Sequence, residues 1–156
     1  MPSWSEFEQA APALAAQVRR RLDAHTHKTL ATLRRDGSPR ICGTETQIVD
    51  EELWIGSMWQ ARKAHDLQRD PRYALHSGSD DPPEWTGDAK LAGVAEEITD
   101  PERVRAINGE TAGPGASHLF RLDLHEVSTV GLNEERNGIV LEVWTPASGV
   151  RREARS

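Results

Sequence analysis

The chain has 156 residues, 37% of them apolar, enough for one globular domain with a sizeable core. Nineteen Lys and Arg against 25 Asp and Glu leave a formal charge of −6, so no general basic field exists for a nucleic-acid backbone and no nucleic-acid partner is expected. The longest apolar runs, such as Leu30 to Leu33 and Ile139 to Leu141, fall far short of the roughly 20 residues of a membrane helix, and the single cysteine, Cys42, excludes an intrachain disulfide.

Ser3 and Ser5 each precede a glutamate by three residues and offer N-caps, and Pro12 suits the first turn of a second helix. Leu14, Val18 and Leu22 recur at spacing four as one apolar stripe, so residues 1–25 read as an N-terminal helical segment without a secretory or transit pattern. From Lys28 the pattern turns β-like. Strands over 28–34, 40–49 and 53–55, joined by a hairpin at Asp36-Gly37 and an acidic turn at 50–52, predict an antiparallel meander. A short helix over 61–69 stops at Asp70-Pro71. A fourth strand over 73–77, a polar loop over 78–83 and a fifth strand over 89–98 follow, the last with a tolerated Gly93. Asp100-Pro101 caps and opens a helix to about Asn108. Residues 111–117, with Gly113-Pro114-Gly115, read as a flexible loop. Phe120, Leu122 and Leu124 alternate with charged residues in a half-buried strand, 139–144 forms the last strand, and 151–156 is expected to fray. About seven strands, three helical segments and no regular βα alternation predict a mainly β, α+β domain over 26–145. It would be an antiparallel barrel with peripheral helices, followed by a C-terminal tail over 146–156.

The most informative segment runs from Gly56 to Leu67. A strand ends in Gly56 and Ser57, and after Met58, Trp59 and Gln60 a helix opens with Arg62 and Lys63 in its first turn. Free amides at a helix start, joined by two cationic side chains, make a phosphate site. Basic residues oppose the positive end of the helix dipole, so helix stability does not favour them there. The competing reading is a solvated helix face on which Arg62 pairs with Asp66 at spacing four.

Arg62-Lys63-Ala64-His65 and the following Asp70-Pro71-Arg72, behind a Gly-Ser strand end and a hairpin carrying Asp36-Gly37-Ser38-Pro39, resemble the pyridoxamine 5′-phosphate oxidase-like, FMN-binding split barrels. Through Ala31-Thr32-Leu33, Asp36 to Arg40 and Leu67 to Arg72, the chain is most similar within that superfamily to the actinobacterial flavin/deazaflavin oxidoreductases. The resemblance implies a six- or seven-stranded antiparallel split β-barrel with peripheral helices. It also implies a homodimer holding FMN or the deazaflavin F420 between subunits. Arg62 and Lys63 would hold the cofactor phosphate, with Gly56, Ser57 and Met58 along the cofactor edge and Trp59 in the phosphate loop. Polar flavin contacts would come from the fifth strand, where Asp88 and Lys90 share a face; the competing reading of that pair is a cross-strand salt bridge. The oxidases proper carry a Lys late in the second strand and a C-terminal Arg and His for their substrate. Here Glu45 stands near the first position and 151–156 holds no His, so turnover of pyridoxine 5′-phosphate is not expected.

His25 and His27 lack a Cys or carboxylate at a metal-ligand spacing and read as structural or exposed. His65 and His76 are candidates for a proton donor or a haem ligand, and Cys42 reads as a small buried hydrophobe. Of the five tryptophans, Trp54, Trp59 and Trp85 are expected beside the site, and Trp54 and Trp144 suit the core or an interface. No triad, carboxylate pair or metal cluster is evident, so no catalytic side chain and no metal is assigned. The expectation is a cytoplasmic oxidoreductase acting on a small organic molecule, with the cofactor carrying the chemistry. The rivals are a cofactor-binding or sequestering protein without turnover, and an interaction module whose Arg62 and Lys63 are surface charges.

Overall fold

The computed structural model describes residues 1–112 and 115–156; Gly113 and Pro114 of the expected loop lie outside the described residues. Two N-terminal helices, α1 (Trp4–Ala10) and α2 (Pro12–Ala24), precede the strands. Ser3 caps α1 by accepting from the Glu6 amide at 3.2 Å, whereas Ser5 lies inside the helix; Pro12 stands at the start of α2. Leu14, Val18 and Leu22 are buried, and with Trp4 and Phe7 they join the main core rather than forming a separate one. Phe7 packs against Trp144 with ring centroids 4.8 Å apart.

Strands β1 (Lys28–Leu33), β2 (Pro39–Thr44), β3 (Thr46–Val49) and β4 (Glu52–Met58) follow, then helix α3 (Arg62–Arg69) and strands β5 (Arg72–His76) and β6 (Gly87–Ile98). Helix α4 (Pro101–Asn108), capped by Asp100, leads to β7 (Ser117–Leu132), β8 (Ile139–Thr145) and β9 (Gly149–Arg155). All pairings are antiparallel, in the order β2-β1-β5-β6-β7-β4-β3, with β8 on β7 and β9 on β8.

The expected single strand over 40–49 is broken. Thr44 is the last residue paired with β1, opposite Lys28, and Thr46 is the first paired with β4, opposite Ile55. Glu45 belongs to neither ladder, so one continuous stretch of chain supplies both ends of the sheet order and closes the barrel through a split. The predicted strand over 53–55 is the middle of β4. The tail expected to fray is instead β9, paired with β8 from Ile139↔Arg155 to Thr145↔Gly149. Its charged residues suit an exposed edge strand, which gives no apolar periodicity to read. Gly93 is required rather than tolerated: the register shifts there, and a Cβ would stand 1.9 Å from the Asp123 carbonyl oxygen.

Two apolar clusters fill the molecule. The main one joins α1 and α2 to β1 and β4 to β8, and the smaller joins Trp54, Val104 and Leu119 beneath α4. Helix α3 lies on β1 and β4, which brings its first turn against β2. No described helix is long and apolar enough to cross a membrane.

Candidate functional site

Past Met58 the chain turns sharply. Gln60 adopts φ 61°, the Ala61 amide donates to the Met58 carbonyl, and the amides of Ala64 and His65 both reach back to Ala61. No side chain caps α3. The amides of Arg62 and Lys63 are therefore free of intrahelical partners at the positive end of the helix.

Four basic side chains gather around those amides. A cleft of about 420 Å³ is lined by Arg34, Arg40, Cys42, Met58, Arg62 and Lys63. Lys63 Nζ donates to the Gly43 carbonyl at 3.0 Å, tying α3 to β2. Asp66 does not pair with Arg62. It turns inward and accepts from Thr32 Oγ1 at 2.7 Å, Arg40 Nε at 2.7 Å and Arg69 at 3.0 Å. Burial alone would raise the Asp66 carboxyl, but these donors outweigh it and hold its pKa at about 2. The arrangement fixes Arg40 in the cleft and leaves Arg62 exposed, with no ion pair among the described residues.

A second cleft of about 630 Å³ opens alongside, sharing Met58 and Lys63 with the first and lined by Gly43, Thr44, Glu45, Gly56, Ser57 and Asn108. Asn108 donates to Ser117 Oγ at 2.9 Å and to the His118 carbonyl at 3.0 Å. Its Oδ1 would stand 2.9 Å from a Cβ on Gly56, so glycine there lets α4 close over the strand. A cationic pocket adjoining a larger one with fewer basic side chains suits a ligand with an anionic group at one end and a bulkier body at the other.

The structure thus unites Gly56, Ser57, Met58, Arg62 and Lys63. It does not bring the other candidates there. Trp59 lines neither cleft; it stacks on His118 with centroids 4.4 Å apart and planes within 12°. Asp88 and Lys90 lie opposite Val130 and Ser128 on β7, whereas Ser57 lies opposite His118. Lys90 lines a separate hollow on the outer face, in one cross-strand row with His76, Thr29 and Gly43, three strand spacings or roughly 14 Å from the cleft edge at Gly43. Nor do Asp88 and Lys90 form the salt bridge of the competing reading: Asp88 accepts from Ser79 at 2.6 Å and lies 3.7 Å from His76. Trp54 and Trp144 are core residues as expected, Trp54 donating to the Val49 carbonyl, while Trp85 lies in the 81–86 turn away from both clefts.

Cys42 is half-buried, and burial pushes its thiol up, with Lys63 and Arg40 opposing. His25 approaches Asp80 at 3.2 Å and His27 approaches Glu45 at 3.9 Å. His65 is exposed, and His76 Nδ1 accepts from the Gly78 amide. The sequence reading overlooked Arg34, Arg40 and Asn108 as cleft residues and Asp66 as their organiser. The signal for Asp66 pointed the wrong way, because i,i+4 spacing pairs it with Arg62 only on an isolated helix.

A family model described as pyridoxamine 5′-phosphate oxidase matches residues 14–131. A search of curated proteins found no match. Among solved structures, a pyridoxamine 5′-phosphate oxidase-related, FMN-binding protein from Nostoc punctiforme is 16% identical with TM-score 0.66, over 90% of this chain and 94% of that one. A conserved hypothetical protein from Mycobacterium tuberculosis is 21% identical with TM-score 0.60, over 72% and 81%. The haem storage protein HutZ from Vibrio cholerae is 19% identical with TM-score 0.56, over 72% and 90%.

Proposed function

Because the chain belongs to the pyridoxamine 5′-phosphate oxidase family, we propose that it is a cytoplasmic oxidoreductase that binds FMN or the deazaflavin F420. The cofactor phosphate lies in the α3 cleft and its ring along Gly56, Ser57 and Met58. The observation that carries this reading is the set of Arg34, Arg40, Arg62 and Lys63 around the free amides of α3, with Arg62 in no ion pair among the described residues. Clustered cations beside a positive helix end repel one another, and an anion relieves that repulsion. Bound cofactor would supply hydride transfer to or from a small organic substrate. The chain's own residues bind, orient and shield: Lys63 couples the phosphate to β2 through Gly43, and Asp66 keeps Arg40 pointed at the cleft. F420 stays in the proposal because the motifs at Ala31 to Leu33, Asp36 to Arg40 and Leu67 to Arg72 resemble those of actinobacterial flavin/deazaflavin oxidoreductases.

The proposed assembly is a homodimer through the outer face of β1, β5 and β6, where Thr29, Ala31, Ala74 and Ala92 leave a shallow, small-residue surface beside the exposed Ile41. Asp88 and Lys90, which line neither cleft of their own chain, belong to the proposal as contributions to the partner subunit's cleft. A role in holding the cofactor without turnover is the alternative, since HutZ shows that this fold also serves storage.

Titration with FMN and with riboflavin, which lacks the phosphate, tests the site. Arg62→Ala and Lys63→Ala are each expected to weaken FMN roughly ten- to hundredfold, the loss of one charge-assisted hydrogen bond, and to leave riboflavin unchanged. Lys63→Glu should lose more. Equal weakening of both ligands, or none, removes the phosphate assignment. Titration with F420 and a screen for turnover then separate cofactor choice and enzyme from binding protein.

A further inference from the structure

The turn that aims the α3 amides is held from outside the clefts. His118 on β7 is 3% exposed in its side chain, and its two ring nitrogens have different neighbours. Nδ1 lies 2.7 Å from Glu97 Oε1, and Nε2 accepts from the Gln60 amide at 3.1 Å. A carboxylate can only accept, so Nδ1 carries the proton; a backbone amide can only donate, so Nε2 presents its lone pair. The two contacts specify one neutral tautomer. Trp59 covers the ring face. Glu97 uses its other oxygen to accept from Gln68 of α3 at 2.8 Å. Gln60, Trp59 and α3 are thus tied to β6 and β7 through a single imidazole and a single carboxylate.

Gln60 makes this tie consequential. It holds φ 61°, a left-handed conformation that a non-glycine residue adopts only where its surroundings impose it. Its amide points at His118 rather than into the turn, and the following residues are Ala61, Arg62 and Lys63.

We propose that His118, in the tautomer set by Glu97, is a positioning residue for the phosphate cradle: its Nε2 locks the 59–61 turn so that the Arg62 and Lys63 amides converge on one anion. The proposal rests on the phosphate reading of the α3 cleft. His118 itself touches no ligand. Its loss therefore loosens the phosphate end and spares the ring end.

The test combines binding with hydrogen exchange on the ligand-free protein. His118→Phe keeps a ring for Trp59 but removes the acceptor. It should weaken FMN roughly three- to tenfold, the effect of one neutral hydrogen bond, leave riboflavin affinity unchanged, and speed amide exchange over 59–63. His118→Gln places an amide oxygen within reach of the Gln60 amide and should recover most of the FMN affinity and the slow exchange. Unchanged riboflavin binding reports an intact fold in each variant. If His118→Phe keeps wild-type FMN affinity and exchange, or if His118→Gln falls as far as His118→Phe, the positioning role is overturned while the phosphate site stands. If wild type neither prefers FMN to riboflavin nor binds F420, the underlying reading fails and this proposal fails with it.

Discussion

Two concave surfaces meet at Ile41 on β2, which lines both of them, and they are built on opposite principles. The α3 cleft is organised by charge: one buried carboxylate, Asp66, collects Thr32, Arg40 and Arg69, and leaves Arg62 and Lys63 at the rim. The outer face of β1, β5 and β6 is organised by absence of bulk. Ala31, Ala74 and Ala92 stand where larger side chains would roughen it, and its titratable groups, His76, Lys90 and Glu126, lie around these alanines. A small anion needs converging donors at fixed positions, whereas a second protein surface needs shape and area. The first kind of site depends on a few residues and breaks sharply. The second is spread and breaks by steric insertion.

The sharpest break is Asp66→Ala. It strips the acceptor from three donors at once, leaving the buried Thr32 hydroxyl without its partner and the half-buried Arg40 without its counter-charge. A loss on the order of 3 kcal/mol in urea unfolding is expected, with FMN affinity falling beyond what riboflavin loses. A milder version uses pH. The Asp66 carboxyl is held at about 2, below its ordinary 3.8, so its contribution is fully present above about pH 4 and disappears as pH falls through about 2. The shift corresponds to about 2 kcal/mol. Half-buried Asp70 also sits at about 2 and titrates in the same window, so the informative measurement is the difference in stability slope between wild type and Asp66→Asn. Equal slopes would mean that Asp66 is not the organiser.

The two surfaces were not equally legible in sequence. The α3 cleft announced itself because its cations sit where a helix dipole does not want them, an anomaly visible in Arg62 and Lys63 without coordinates. Its organiser stayed hidden, because whether Asp66 faces Arg62 or the core depends on how α3 is laid on β1 and β4. The break at Glu45 was equally invisible: apolar and polar residues continue across it, and only the change of ladder partner marks it. His118 lies in a strand whose core face, Phe120, Leu122 and Leu124, was read correctly, but the other face is not the exposed one expected, since Asp123 is buried too, and the partner Glu97 comes from another strand 21 residues away. The outer face gave least signal of all, since alanine in a strand reports nothing about what covers it. The N-terminal helices, the Asp36-Gly37 hairpin and the capped α4 were fully local and were read correctly.

Ala74→Arg tests the outer face by steric insertion. The residue is exposed in the single chain, so subunit stability should move within about 0.5 kcal/mol. Light scattering should show the wild type as a dimer and the variant as a monomer at micromolar concentration. A monomeric wild type, or a variant that still dimerises, would break the assignment of this face and leave the α3 cleft untouched.

The smallest expected effect belongs to Lys90→Ala, and it bears most directly on whether the two surfaces are independent. Lys90 lies on the outer face, opposite His76 on β5 and Ser128 on β7, at the far end of β7 from Ser57. If the surfaces acted separately, removing its charge would change neither ligand. In the proposed dimer the outer face meets the second subunit, and Lys90 approaches that subunit's cofactor at the ring end rather than at the phosphate. The lost contact is exposed and worth less than about 1 kcal/mol, so FMN and riboflavin should weaken together by about twofold to fivefold. The ratio between them should stay at the wild-type value, in contrast to Lys63→Ala. In the Ala74→Arg background the effect of Lys90→Ala should vanish, because no partner remains to receive it. A change in the ratio would move Lys90 to the phosphate, and persistence of the effect in the monomer would place it in its own subunit's cleft. Either outcome would break the division between a charged site within the chain and a flat one between chains.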